Sequence, residues 1–74
     1  MGKVLRYPII IEKSRKNYSA YSPDLPGCIA TGTTVRQTLS RMKSAIKFHL
    51  EGLRKEGADI VEPSTRVEYI DITS

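Results

Sequence analysis

The sequence predicts an α+β domain: a three-stranded antiparallel sheet, one long helix packed on one face, then a C-terminal strand, in the order β-β-β-α-β. Three observations carry that expectation. Short runs near both ends alternate with a two-residue period, a central run of about 22 residues repeats its apolar positions at helical spacing, and turn-forming residues cluster between them. No repeat, low-complexity stretch or composition break divides the chain, so residues 1–74 are expected to form a single domain.

The first strand is expected within Lys3–Lys13, where Leu5, Tyr7, Ile9 and Ile11 alternate with Val4, Arg6, Pro8, Ile10 and Glu12. Pro8 cannot donate a ladder hydrogen bond, which makes this an edge strand or one with a bulge. Ser14–Asn17 is a polar hairpin turn. Tyr18–Ser22 and Cys28–Thr31 are two further short strands, and Arg66–Ile72, alternating charged and apolar residues, is the fourth. The helix starts at Thr34, which with Gln37 fits a Thr-x-x-Gln capping box. Gly57 suits the residue just past its end. Its length of roughly 33 Å at 1.5 Å per residue spans a domain of this size.

Val35, Leu39, Met42, Ile46, Leu50 and Leu53 form one apolar stripe along that helix and are assigned to the core beneath the sheet. Two other faces are less ordinary. Arg36, Lys43, Lys47 and Arg54 align beside the stripe, and the helix alone carries the whole net charge of +4. That ridge is either a solvated face with weak Lys47–Glu51 and Glu51–Lys55 pairs or a nucleic-acid-binding surface. The opposite side holds Thr38, Ala45, Phe48 and Gly52. A mid-helix glycine costs about 1 kcal/mol relative to alanine, and a phenylalanine among small residues fits an oligomer interface better than open water.

Between the second and third strands lies Tyr21–Thr33, "YSPDLPGCIATGT". Pro26 and Gly27 suit the central positions of a type II turn, and Leu25 and Ser22, each preceding a proline, are pushed to extended conformations. Asp24 is free to bond a nearby backbone N–H, and Gly32 permits the bend into Thr34. The segment is a stiff corner that positions Asp24 and Leu25 as a rigid partner contact.

The inventory argues against catalysis. Two-metal hydrolysis needs several carboxylates converging on ions about 4 Å apart, and Asp24 has only Glu12 as a strand companion. His49 lacks a nucleophile or second acid, Cys28 sits in strand pattern as a small core residue, and "ATGTT" lacks the lysine and spacing of a phosphate loop. With one cysteine and one histidine, neither an internal disulfide nor a zinc cluster forms. No enzyme, metal or cofactor is expected. The N-terminal apolar run is too short for an export signal or a membrane span, which points to a cytoplasmic protein. A chain this short buries a modest core, so a homo-oligomer, dimer or tetramer, is its most economical source of added stability.

The stretch "YSAYSPDLPGCIATGTT" followed by "AIKFHLEGLRKEG" resembles the HicB antitoxin family of bacterial and archaeal toxin–antitoxin pairs, over about Ile9 to Gly57. The resemblance implies a partial ribonuclease H-like fold without catalytic carboxylates, self-association, and a small HicA-type messenger-RNA-cleaving toxin as partner. Longer members append a C-terminal DNA-binding module, so the chain corresponds to a short form. The helix start "TVRQTLSRMK" departs from the glutamates and alanines usual there, and net +4 runs against the acidic complementarity expected of an inhibitor of an RNA-binding enzyme.

Overall fold

The computed structural model describes residues 3–74. Strands β1 (Ile10–Lys13), β2 (Tyr18–Tyr21) and β3 (Ile29–Gly32) are followed by helix α1 (Val35–Lys55). The sheet is antiparallel in the order β1-β2-β3, with Ile10 opposite Tyr21 and Tyr21 opposite Ile29. This is the expected three-stranded sheet with one helix.

The hairpin closes where its polar residues allow. Ser14 N–H donates to Asn17 O at 2.9 Å, and the Ser14 hydroxyl donates to the same carbonyl at 3.1 Å. The first strand is shorter than expected: residues 3–9 lie outside the ladder. Pro8, two residues before β1, lacks the N–H that would prolong pairing.

Helix α1 is capped at both ends. The Thr34 side chain accepts from Gln37 N–H at 3.0 Å. Gln37 does not return the bond to Thr34; its Oε1 reaches Thr33 instead, at 2.8 Å from the amide and 3.0 Å from the hydroxyl. At the other end Ala58 N–H donates to Leu53 O and Gly57 N–H to Arg54 O, with Gly57 at φ 72°. That is a Schellman ending, in which glycine takes the left-handed conformation without steric cost. Arg54 and Lys55 in the last turn complement the helix dipole.

The face that α1 turns to β2 and β3 differs from the expected stripe. Thr38, expected on the far side, is fully buried, and its hydroxyl donates to Thr34 O at 2.7 Å. Met42 and Leu50 are buried and Ile46 and Leu53 half-buried, but Val35 and Leu39 stay exposed. The cause is Gly32. A Cβ built there would lie 2.7 Å from Thr38 Oγ1 and 2.9 Å from Thr38 N, so the missing side chain lets α1 approach β3 closely at its Thr38 edge. Gly32 is therefore a close-approach residue, rather than a bend residue with positive φ.

The core is small: Ala20, Leu25, Cys28, Met42 and Leu50 are buried, with Leu5, Tyr7, Ile9, Ile11, Ala30, Ile46, Leu53 and Ile60 packed around them. The fourth strand expected over Arg66–Ile72 is not formed among the described residues: that segment pairs with none of β1, β2 and β3. They run as an exposed arm with Ile70 83% and Ile72 79% accessible. The radius of gyration is 14.2 Å, against about 11 Å for a compact chain of this length.

Replacing Gly32 with alanine is expected to cost about 1–3 kcal/mol through overpacking against Thr38. Urea denaturation checks it; a midpoint unchanged from the parent would show that the helix can move away freely.

Candidate functional site

The corner between β2 and β3 consists of two successive turns. Leu25 N–H donates to Ser22 O at 3.2 Å and Cys28 N–H to Leu25 O at 3.1 Å. Pro26 and Gly27 occupy the centre of the second turn, with Gly27 at φ 87°, as a type II turn requires. The corner folds Leu25 into the core, 1% exposed. The Leu25 side chain, expected at a partner contact, is thus packed inside the fold of the single chain.

Asp24 is also engaged internally. Its Oδ1 accepts from Ser64 N–H at 3.0 Å, Ser64 Oγ at 3.1 Å, Thr65 N–H at 3.1 Å and Thr65 Oγ1 at 3.0 Å. Burial alone would raise this carboxyl's pKa, but the four donors outweigh it and hold the value below the ordinary aspartate range. Of the expected contact pair, Asp24 thus forms a clamp that holds the connector leading to the C-terminal arm, and Leu25 packs in the core. Tyr7 helps, donating its hydroxyl to Val61 O, and Lys3 pairs with Glu62. Cys28 is a free buried thiol, its pKa raised by that burial. His49 is half-buried. Among the described residues no group of three His, Cys, Asp or Glu side chains is placed to hold a metal ion, and no helix is long and apolar enough to cross a membrane.

Among the described residues, three open surfaces bear on the expected sites. The first is the sheet face opposite α1. The ladder register places Ile10, Tyr21 and Ile29 in one row, with Glu12, Ser19 and Thr31 in the next row of the same face. Ile29 is 68% exposed. Sequence reasoning missed this row, although the hairpin turn already implied Ile10 opposite Tyr21.

The second surface surrounds Phe48, 80% exposed, in a shallow depression shared with Ala45, His49 and Gly52. A Cβ at Gly52 would meet nothing within 4 Å, so packing inside the chain gives no reason for a glycine there.

The third is a groove of about 420 Å³ between residues 3–9 and α1. Leu5, Tyr7, Ile9, Leu39, Met42, Ile46 and Leu50 floor it; Lys3, Lys43, Lys47 and Arg54 line it with a single acid, Glu51. The structure therefore brings three of the four ridge cations to one groove and leaves Arg36 outside it. Arg41, on another side, donates to Thr31 O at 3.0 Å.

Residues 7–73 match the model of the HicB-like antitoxin of bacterial toxin–antitoxin systems. The chain belongs to the HicB-like antitoxin family. Among proteins, it is 35% identical over 88% of its length to a 14.9 kDa protein of the rep-hol intergenic region of Haemophilus phage HP1. That match spans only 49% of the phage protein. It is 33% identical over 92% of its length to a UPF0150 protein of Thermoplasma acidophilum, covering 97% of that relative. Among solved structures, a chain of the HicA3 and HicB3 toxin-antitoxin complex superposes with a TM-score of 0.67 at 32% identity. The superposition covers 81% of this chain and 70% of that one. The three-stranded sheet and helix described above are thus those of a HicB-like antitoxin.

Asp24→Asn keeps the shape of the clamp but removes the charge that all four donors face. Amide exchange at Ser64 and Thr65 is expected to accelerate at least tenfold while α1 amides hold; unchanged exchange at both would mean that the clamp carries no free energy.

Proposed function

We propose that this HicB-like chain is a non-enzymatic antitoxin that sequesters a small HicA-type messenger-RNA-cleaving toxin in the cytoplasm. The observation that carries the reading is the fold it shares, at 32% identity, with a chain of a solved toxin–antitoxin complex. The ribonuclease H-like relation and the strand after the helix belong to the same reading: Arg66–Ile72 becomes a strand once a neighbour supplies an edge.

The toxin contact is assigned to the open sheet face. Its Ile10–Tyr21–Ile29 row is apolar, and it is braced from behind by the corner and α1. Glu12, the one charge that the three strands direct to this side, is acidic, and the basic helix lies on the opposite side. That arrangement answers the sign of the net charge: a basic RNA-binding enzyme meets a face to which the strands direct an acid and no cation. The corner serves indirectly, by setting Tyr21 and Ile29 side by side. Ala45, Phe48 and Gly52 are assigned to self-association.

Co-expression with a small basic protein encoded beside the chain tests this. The expected result is a stoichiometric complex that survives nuclease and high salt, with messenger RNA left intact. Tyr21→Lys and Ile29→Lys, both at exposed positions, are each expected to weaken toxin capture at least tenfold without unfolding the antitoxin. Recovery of nucleic acid instead, with affinity falling by about 0.9 log unit per log unit of salt for each phosphate neutralised, would overturn the reading. Function would then lie with Arg36, Lys43, Lys47 and Arg54.

A further inference from the structure

The arm over Arg66–Ile72 and the groove beside α1 are complementary in length, polarity and charge. Seven extended residues span about 23 Å at 3.3 Å each. The groove follows α1 from Leu39 to Arg54, about 22 Å at 1.5 Å per residue. The groove floor is apolar and its free cations are Lys43, Lys47 and Arg54. Among the described residues the ion pairs are Lys3–Glu62 and Arg66–Glu68, so these three cations are unpaired. The arm presents Ile70 and Ile72, nearly fully exposed, together with the acids Glu68 and Asp71. Arg66 holds Glu68 at 2.9 Å, but both side chains are mostly exposed and free to re-pair.

We propose that two copies of this chain exchange their C-terminal arms, each laying Glu68–Ile72 into the other copy's groove. A second copy is the occupant because the arm and the groove are both left open in the same chain. The clamp at Asp24 fixes the arm's root at Ser64 and Thr65, and beyond it the arm runs on exposed. The outer side of β1, an edge of the sheet, offers a place where an added strand gains main-chain hydrogen bonds. Exchange would cover Leu39, Ile70 and Ile72 together and add to the core of five buried apolar residues found among the described residues. The proposal rests on the self-association part of the antitoxin reading but uses neither the Phe48 face nor the toxin-binding face.

Sedimentation equilibrium of charge-reversed copies tests it. Glu68→Lys with Asp71→Lys reverses the arm; Lys43→Glu with Lys47→Glu reverses the groove. Each double variant alone is expected to self-associate at least tenfold more weakly than the parent. Mixed one to one, they are expected to regain parental affinity, because both arm–groove contacts in the mixed pair again join opposite charges. A third variant, Ile70→Lys with Ile72→Lys, is expected to associate no more tightly than the reversed variants alone, in every mixture. Either a monomeric parent or two reversed variants that associate as tightly as the parent overturns the exchange. Reversed variants that stay weak when mixed overturn it too, and point to an arm that folds onto its own chain. Toxin capture through Tyr21 and Ile29 is measured separately, so loss of one result leaves the other standing.

Discussion

One carboxylate oxygen sets the outline of this molecule. Asp24 Oδ1 gathers two amides and two hydroxyls from Ser64 and Thr65, tying a corner between two strands to a connector forty residues later in the chain. Ionised carboxylates form stronger hydrogen bonds than neutral acceptors, and four donors on one oxygen favour the charged form. The free energy is pH-linked in a definite direction. Because the folded pKa lies below the unfolded value of about 3.9, the contribution is complete above that value and drains away as pH falls towards the folded one.

Much else follows from that tie. With Leu25 buried beside Asp24, the corner holds β2 and β3 in register and presents Tyr21 and Ile29 on the open face. With residues 64 and 65 held, the chain before them runs back along residues 3–7 through the Tyr7–Val61 and Lys3–Glu62 contacts. The chain after them runs free. A domain with so small a core among its described residues has little spare stability, and its uncovered surfaces are where the proposed partners would add it.

The legible parts of the fold were those governed by local physics. The cap at Thr34, the glycine ending at Gly57 and the type II turn at Pro26–Gly27 each depend on a few adjacent residues, and the structure holds all three. What the sequence hid depended on tertiary partners. Thr38 groups with Ala45, Phe48 and Gly52 on the side opposite the stripe because periodicity weighs hydrophobicity, whereas its burial comes from the missing Cβ of Gly32 on another element. Arg66–Ile72 has strand chemistry, but a strand needs a pairing partner, and among the described residues it pairs with none. Asp24 was visible as a hydrogen-bonding residue, yet its donors lie far along the chain, so its role as a clamp was out of reach of any local rule. The family resemblance supplied the antitoxin assignment that composition alone left open.

The most direct test of this account is an NMR titration of the Asp24 carboxyl carbon, followed together with the Ser64 and Thr65 amide protons. The account predicts a midpoint below that of ordinary aspartates, with both amides shifting on the same curve as the clamp is protonated. A midpoint at or above the ordinary value, with the two amides indifferent to it, would contradict the clamp and return the corner to the status of a surface loop.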